Sequence, residues 1–388
     1  MPVLNRIAAL SEEIAVWRRD LHAHPELAYE EHRTSAFVAD KLASFGIDEV
    51  VTGIGRTGVV GVIHGRGDTS GKTIGLRADM DALPILEETG LPYASTSNGV
   101  MHACGHDGHT AMLLGAARHL AETRNFNGTV IVIFQPAEEG GAGAKAMLDD
   151  GLMERFGIQE VYGMHNFPDL PVGQFAIRPG ALMASADRLR IDIEGLGGHA
   201  ARPHKCVDPI LVGSHIVAAL QSIVSRSLDP AEAGVISITT FNAGRADNII
   251  PESAVLGGTA RSLNPDVRDL LERRFKEIVE SVATTYGAKA TATYSRDYPV
   301  TINHADQTRF AVTVAAEVVG ADRVETDVAP TMGGEDFAFM LEKRPGAFIF
   351  AGNGASANLH HPKYNFDDNV IPYGASYWVR LVEKALPA

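Results

Sequence analysis

The sequence predicts an α/β domain with a largely parallel sheet, interrupted by a smaller inserted α+β domain. Apolar strand-like runs alternate with helical periods up to about Ser185 and again after Tyr298, the pattern of a sheet flanked by helices. Between those limits the order is strand, helix, strand, strand, helix, strand, the split βαβ (βαββαβ) arrangement of ferredoxin-like domains. The chain has 388 residues, too many for one typical core. The expected division is residues 1–184 with 299–388 for the larger, discontinuous domain and 185–298 for the insert.

Each element has its own signal. Leu4, Ile7, Leu10, Ile14, Trp17 and Leu21 recur at spacings of three and four, as on an amphipathic helix. His24-Pro25-Glu26-Leu27 ends it, and a second helical pattern covers about 31–45. Apolar runs at 58–63 and 73–76 follow, the latter leading into Asp79 and Asp81. A helical pattern spans about 109–123. The β-branched run 129–134, between Gly128 and Pro136, reads as a buried strand. A glycine-rich turn at 140–143 opens a helix to about 149, and a short strand at 161–164 ends at His165. In the insert, 188–193 alternates polar and apolar like a half-exposed antiparallel strand. Strands at 187–194, 234–241, 253–261 and 288–295 enclose helices at 208–226 and 266–286. A helix near 306–319 and a buried strand at 346–351 complete the larger domain.

Composition excludes several function classes. Apolar residues make up 45% and charged residues 21%, ordinary for a globular protein. The net charge of −14 argues against a nucleic-acid or anionic-membrane partner. A small anionic substrate needs only a local positive pocket. Cys104 and Cys206 give no disulfide framework and suit a reducing compartment. The N-terminal stretch lacks the basic start and apolar run of a signal peptide, being interrupted by Glu12 and Glu13. No apolar run is long enough to span a membrane, so the cytoplasm is the expected location.

The densest chemistry lies at His102-Ala103-Cys104-Gly105-His106-Asp107-Gly108-His109. Imidazole, thiolate and carboxylate groups bind transition metals. In open α/β sheets ligands sit beyond the carboxyl ends of strands. Here one strand runs into Asp79 and Asp81, another into Glu138-Glu139, a third ends at His165, and a fourth leads to His360-His361-Pro362. Taken singly, each has an ordinary explanation. A histidine after a strand is commonly a surface residue, and paired glutamates commonly begin a helix. Together they would require a coincidence at every strand edge. Cys104 with a nearby histidine could also be a nucleophile, but that leaves Glu138, Glu139, His165 and His360 unused.

These motifs occur in order: Arg77-Ala-Asp-Met-Asp-Ala-Leu-Pro84, Met101 to His109, Gln135-Pro-Ala-Glu-Glu139, Gly198-His199, Asn248-Ile-Ile-Pro251, Met332-Gly-Gly-Glu-Asp-Phe337 and Leu359-His-His-Pro362. Together they resemble the M20 metallopeptidase family, in its branch of N-acyl-amino-acid amidohydrolases. The resemblance implies a zinc-peptidase-like mixed sheet flanked by helices, with the insert acting as lid or dimerisation domain. It implies two divalent ions (Zn, Mn, Ni or Co) on Cys104, His106, Glu139, His165 and His360. Cys104 stands where many relatives have a bridging aspartate. His360 is preferred over His361 because relatives carry a variable residue between the ligand and proline. Glu138 is implied as the general base acting on a metal-activated water. Asp81, ahead of Asp79, would orient the ligands. His199 is implied to reach a partner's site and stabilise the oxyanion, with Asn248 and Arg261 binding the substrate carboxylate. His102, Asp107, His109 and the loop 332–337 would line the site. The implied reaction is hydrolysis of N-acyl-L-amino acids by a homodimer. A dipeptidase or carboxypeptidase of the same family, or a non-catalytic metal-binding scaffold, are the alternatives.

Overall fold

The computed structural model describes residues 3–67 and 69–388. The chain divides into two compact units. One comprises Met1–Gly180, Ile302–Ala329 and Asp336–Ala388, and the other Ala181–Thr301 with Pro330–Glu335. In chain order the first contributes α1 (Asn5–Ala23), α2 (His32–Ser44), β1 (Glu49–Ile54), β2 (Gly58–His64), β3 (Thr73–Asp79), α3 (His106–Thr123), β4 (Thr129–Gln135), the kinked α4 (Glu138–Gly141) and β5 (Glu160–Pro168). The second contributes β6 (Ser185–Glu194), α5 (Pro209–Ser222), β7 (Gly234–Ala243), β8 (Ser253–Ser262), α6 (Pro265–Thr285) and β9 (Lys289–Tyr298). The chain then returns to the first unit through a helix at Ala305–Val319, β10 (Gly346–Gly354) and a C-terminal helix at Ile371–Ala385.

The larger unit is built on an eight-stranded mixed sheet, whose order begins β1–β2–β4–β3–β5–β10 and ends in two short strands, Phe175–Ala176 and Val324–Glu325. β4, β3, β5 and β10 run parallel, so their carboxyl ends share one edge. Asp79 pairs with Gln135 at the ends of β3 and β4. β5 extends three residues past His165, because parallel pairing with β10 continues from His165↔Phe350 to Pro168↔Gly354. α3 is buried over most of its length, with Met112, Leu113, Leu114 and Ala116 at 0% exposure, which fits a helix covered on several sides. It begins at His106 rather than near His109, because Gly105 supplies a left-handed N-cap that the apolar period does not reveal.

The smaller unit has four strands in the order β7–β8–β6–β9, all neighbours antiparallel. β6 alternates as its sequence suggests. Leu189, Ile191 and Ile193 join the core formed with α5 and α6, while Arg188 and Arg190 face outward. α5 continues through one π turn to Ser227, and the segment Pro209–Ser227 is long and apolar enough, by length and composition, to cross a membrane. Its Val212, Ile216, Leu220 and Ile223 pack on the sheet. Its Ile210, Leu211 and Val224 remain exposed, which accounts for the unbroken hydropathy.

Candidate metal centre

The carboxyl edge of the sheet gathers the chemistry of the larger unit. Arg77 is fully buried and binds outward along that edge: Nε donates to Gln135 Oε1 at 2.8 Å, Nη1 to Asp79 Oδ2 at 2.8 Å and Nη2 to Asp336 Oδ1 at 3.0 Å. Two carboxylates around one buried guanidinium make a rigid, charge-compensated floor. Asp79 also pairs with His109 Nδ1 at 2.6 Å. Both ring nitrogens of His109 are engaged, Nε2 with Asn166, so this imidazole is structural.

Gly105 lets the chain turn into α3. Its φ is 95°, and a Cβ would fall 2.3 Å from Asn166 Oδ1. Cys104 and His106 are thereby presented on either side of a sharp bend. His106 Nδ1 bonds the carbonyl of Asp81 at 2.9 Å. A carbonyl can only accept, so Nδ1 carries a proton and Nε2 is the ring nitrogen left to face a cation, in exchange for any proton it holds. That Nε2 is buried without a hydrogen-bond partner among the described residues. His165 repeats the arrangement: Nδ1 donates to Asn166 O at 2.7 Å, and Nε2 lies 3.4 Å from Cys104 Sγ.

After β4 the chain makes an unusual turn. Ala137 and Ala142 are left-handed, at φ 52° and 55°, and α4 between them is kinked at Glu139 and Gly140. The carboxylate of Asp81 accepts the backbone N–H groups of Glu138 and Glu139, each at 2.9 Å. Asp81 therefore orients both glutamates through the main chain. His360, itself left-handed at φ 64°, donates its N–H to Ala103 O at 2.8 Å and places Nε2 3.1 Å from Glu139 Oε1. His361 is occupied elsewhere, accepting the N–H of Lys363.

Among the described residues five groups of donor atoms each lie within 4.8 Å of one another, and two of these groups contain Cys104: Cys104, His106 and His165, and Cys104, Glu139 and His360. They share the sulfur. Glu138 is grouped with His106 and Glu139 but belongs to neither of these two sets. The electrostatics suit cations. Burial, with Glu139, Glu138 and Asp79 alongside, drives the Cys104 thiol well above its ordinary pKa, so the thiolate needs a cation to exist. Burial opposes protonation of His106, but Asp79 and Asp81 hold it up, to about 10, marking a strongly negative locale. Burial keeps His165 neutral, its pKa well below the usual value, as a ligand requires. A thiol, three imidazoles and a carboxylate, with Nδ1 of His106 and of His165 each committed to a main-chain carbonyl and one buried nitrogen orphaned, fit divalent metal ions.

The candidates implied to act on the substrate, His199, Asn248 and Arg261, lie in the smaller unit. His199 sits in a two-residue strand paired with Ile249–Ile250, and the N–H of Ala200 donates to Asn248 O at 3.0 Å. His199 Nδ1 accepts the N–H of Ala201 at 3.1 Å. Arg261 is at the other end of β8, opposite Ala186 and Val235, so the structure does not bring it to Asn248.

Sequence reasoning passed over Arg18, His22, Glu31 and the structural role of Asp336. Arg18 Nε bonds Asp368 Oδ1 at 2.8 Å and Nη1 reaches Asp107 Oδ2 at 3.4 Å; His22 Nδ1 meets the same oxygen at 2.8 Å. This ties α1 to the start of α3. A signal existed, since Arg18 and His22 continue the i+4 series from Ile14 on the apolar face. Polar residues at core positions of a helix need buried partners.

A buried thiol, imidazoles and carboxylates at the strand ends of an α/β sheet are the donor set of a metallohydrolase. The chain belongs to the peptidase family M20/M25/M40, whose family profile matches residues 75–384. It is 44% identical to the hippurate hydrolase of Campylobacter jejuni over 386 residues, covering 100% of both chains. It is 41% identical to thermostable carboxypeptidase 1 of Saccharolobus solfataricus, covering 96% of this chain and 95% of that one. Among solved structures it is similar to the Bacillus subtilis YXEP protein, described as a dinuclear metal binding peptidase of the M20 family. That likeness has a TM-score of 0.85 at 36% identity, covering 98% of this chain and 99% of that chain.

Proposed function

We propose that the protein hydrolyses the amide bond of N-acyl-L-amino acids, with Glu138 as general base and two divalent ions held by Cys104, His106, Glu139, His165 and His360. The observation that carries this is the pair of donor groups sharing Cys104 Sγ, with Glu138 beside them and outside both. Bound there, the ions would polarise the scissile carbonyl and lower the pKa of water, with Zn, Ni, Co or Mn each compatible with this donor set. Glu138 takes the proton from the attacking water and delivers it to the leaving nitrogen, giving a carboxylate and a free amino acid. Asp81 keeps the glutamates in place by holding their N–H groups. The relatives include a hippurate hydrolase and a carboxypeptidase, so amide hydrolysis next to a substrate carboxylate is common ground. The thiol at residue 104, in place of the bridging aspartate of many relatives, favours the acyl-amino-acid branch. Two free cysteines suit the cytoplasm.

The decisive experiment is a hydrolysis screen of N-acetyl- and N-benzoyl-amino acids against dipeptides, on protein stripped by chelator and reloaded with each metal. The expected result is metal-restored cleavage of the acyl amino acids. Preferential cleavage of dipeptides would move the assignment to the peptidase reading. Activity that survives complete metal removal would end it.

The protein works as a homodimer through its inserted unit. β8 carries Arg261 eight residues beyond Ser253, which is roughly 25 Å along a strand and away from Asn248. His199 and Asn248 can share one substrate with Arg261 only if the two ends come from different copies. β7 is an open sheet edge, and Phe241 on it is exposed, as are Ile210, Leu211 and Val224 of the α5 segment. Mixing inactive His199→Ala with inactive Glu138→Gln protein should regain up to about one quarter of wild-type activity, the share expected if subunits recombine at random and one intact site forms per mixed dimer. Zero recovery after demonstrated subunit exchange would place His199 outside the partner's site.

A further inference from the structure

The turn that carries Glu138 and Glu139 is held in a conformation it would not adopt alone. Ala137 and Ala142 are both left-handed, with φ/ψ of 52°/42° and 55°/46°. An L-residue in that region is disfavoured against the right-handed alternative, because its Cβ crowds the following carbonyl. Such strain persists only where the surroundings over-determine the backbone. Asp81 accounts for the N–H groups of residues 138 and 139, and Asp336 Oδ2 accepts that of Ala144 at 2.9 Å. Two further constraints come from a short loop before α2. Glu31 Oε1 accepts the N–H of Ala137 at 2.8 Å, and Tyr29 Oη donates to the carbonyl of Gly141 at 2.7 Å. The loop grips the turn at both ends.

We propose that Tyr29 and Glu31 form a clasp that holds the 137–142 turn in its strained shape and so aims Glu138 at the reacting water. Both are positioning residues, and the proposal rests on Glu138 being the general base. The clasp is itself built at a cost, which a merely connecting loop would not bear. Glu31 is fully buried, and no cation lies within ion-pair distance among the described residues. Its carboxylate is satisfied by the Ala137 N–H and by Thr57 Oγ1 at 2.5 Å. Burial accordingly raises its pKa. Tyr29 is also left-handed, at φ 66°, with the Arg56 guanidinium 4.1 Å from its ring centroid. Three consecutive main-chain N–H groups, 137 to 139, thus end on two buried carboxylates, Glu31 and Asp81.

The test compares Glu31→Ala, Glu31→Gln and Tyr29→Phe, with and without Ala137→Gly, on metal-loaded protein with N-benzoyl- and N-acetyl-amino acids. Glu31→Ala should lower kcat about 10- to 100-fold with KM within about threefold, because a displaced base loses proton transfer rather than substrate binding. Amide hydrogen exchange across 137–141 should accelerate in that variant. Glu31→Gln keeps an acceptor for Ala137 and a donor for Thr57, so it should restore both readouts. Glycine adopts the left-handed region freely, so Ala137→Gly should recover much of the kcat lost in Glu31→Ala. Unchanged kcat and exchange in Glu31→Ala overturn the clasp. So does a loss that glycine fails to restore. If Glu31→Ala does not fold, Tyr29→Phe decides by the same exchange readout: faster exchange at 137–141 supports the clasp and unchanged exchange overturns it. Normal activity in Glu138→Gln would instead overturn the base assignment, and the exchange data would still report on the clasp.

Discussion

Glu138→Gln should abolish turnover and leave the metal centre filled. The substitution is nearly isosteric, and the residue is 7% exposed with Asp336 N–H 3.4 Å from Oε1. The bonds that orient the turn run through backbone N–H groups to Asp81 and are untouched. Neither sulfur-sharing donor group includes Glu138. What is lost is the ability to take a proton. General-base catalysis is worth about 10²- to 10⁴-fold, so kcat should fall by that factor with KM within a few-fold. Metal content measured by elemental analysis should equal that of wild type. Unaltered turnover would end the assignment. Loss of metal along with turnover would make Glu138 a ligand and leave the base to be found elsewhere.

The contrast between Glu138 and Glu31 shows what a sequence can and cannot reveal about such a site. Both are glutamates beside apolar segments. Glu138 follows a β-branched strand and adjoins a second carboxylate, so the rule that ligands lie beyond strand ends singles it out. Glu31 sits at the start of a helical pattern, where acids are common for reasons unrelated to chemistry. Its importance comes from contact with Ala137, 106 residues away. The larger architecture was legible because it rests on periodicity, and the inserted strand order because alternation in β6 differs from the continuous apolar runs of β3 and β4. The turn at Ala137 was not. Alanine gives no hint of a left-handed conformation, which its surroundings, Glu31, Asp81 and Tyr29 among them, impose. Likewise His106 as the first residue of α3 depended on Gly105, whose need to be glycine lies in the nearness of Asn166.

Cys104 is where the two donor groups meet, so its replacement should cost more than that of any other ligand. Cys104→Ala removes an atom from both groups at once. His106 and His165 would be left as one pair and Glu139 and His360 as another. Two-ligand sites do not retain divalent ions well, since structural and catalytic zinc centres use three or four protein ligands. Both ions should be lost on dialysis, and activity should drop by more than about 10³-fold, the combined scale of metal and base catalysis. Cys104→Asp tests the meaning of the sulfur. A carboxylate can serve both groups but is a harder donor, so metal should remain while preference moves from Zn, Ni or Co toward Mn. Measured by reloading the stripped protein with each ion, the rank order of activities should change. The same variant separates bridging from nucleophilic chemistry. A nucleophilic cysteine would leave Cys104→Asp dead with every metal, and would leave the wild-type protein active after the metals are gone. Burial and the three neighbouring carboxylates argue for the other outcome, because they hold the thiol protonated until a cation arrives. On the proposed assignment the reactivity of the sulfur is a consequence of metal binding and not an alternative to it.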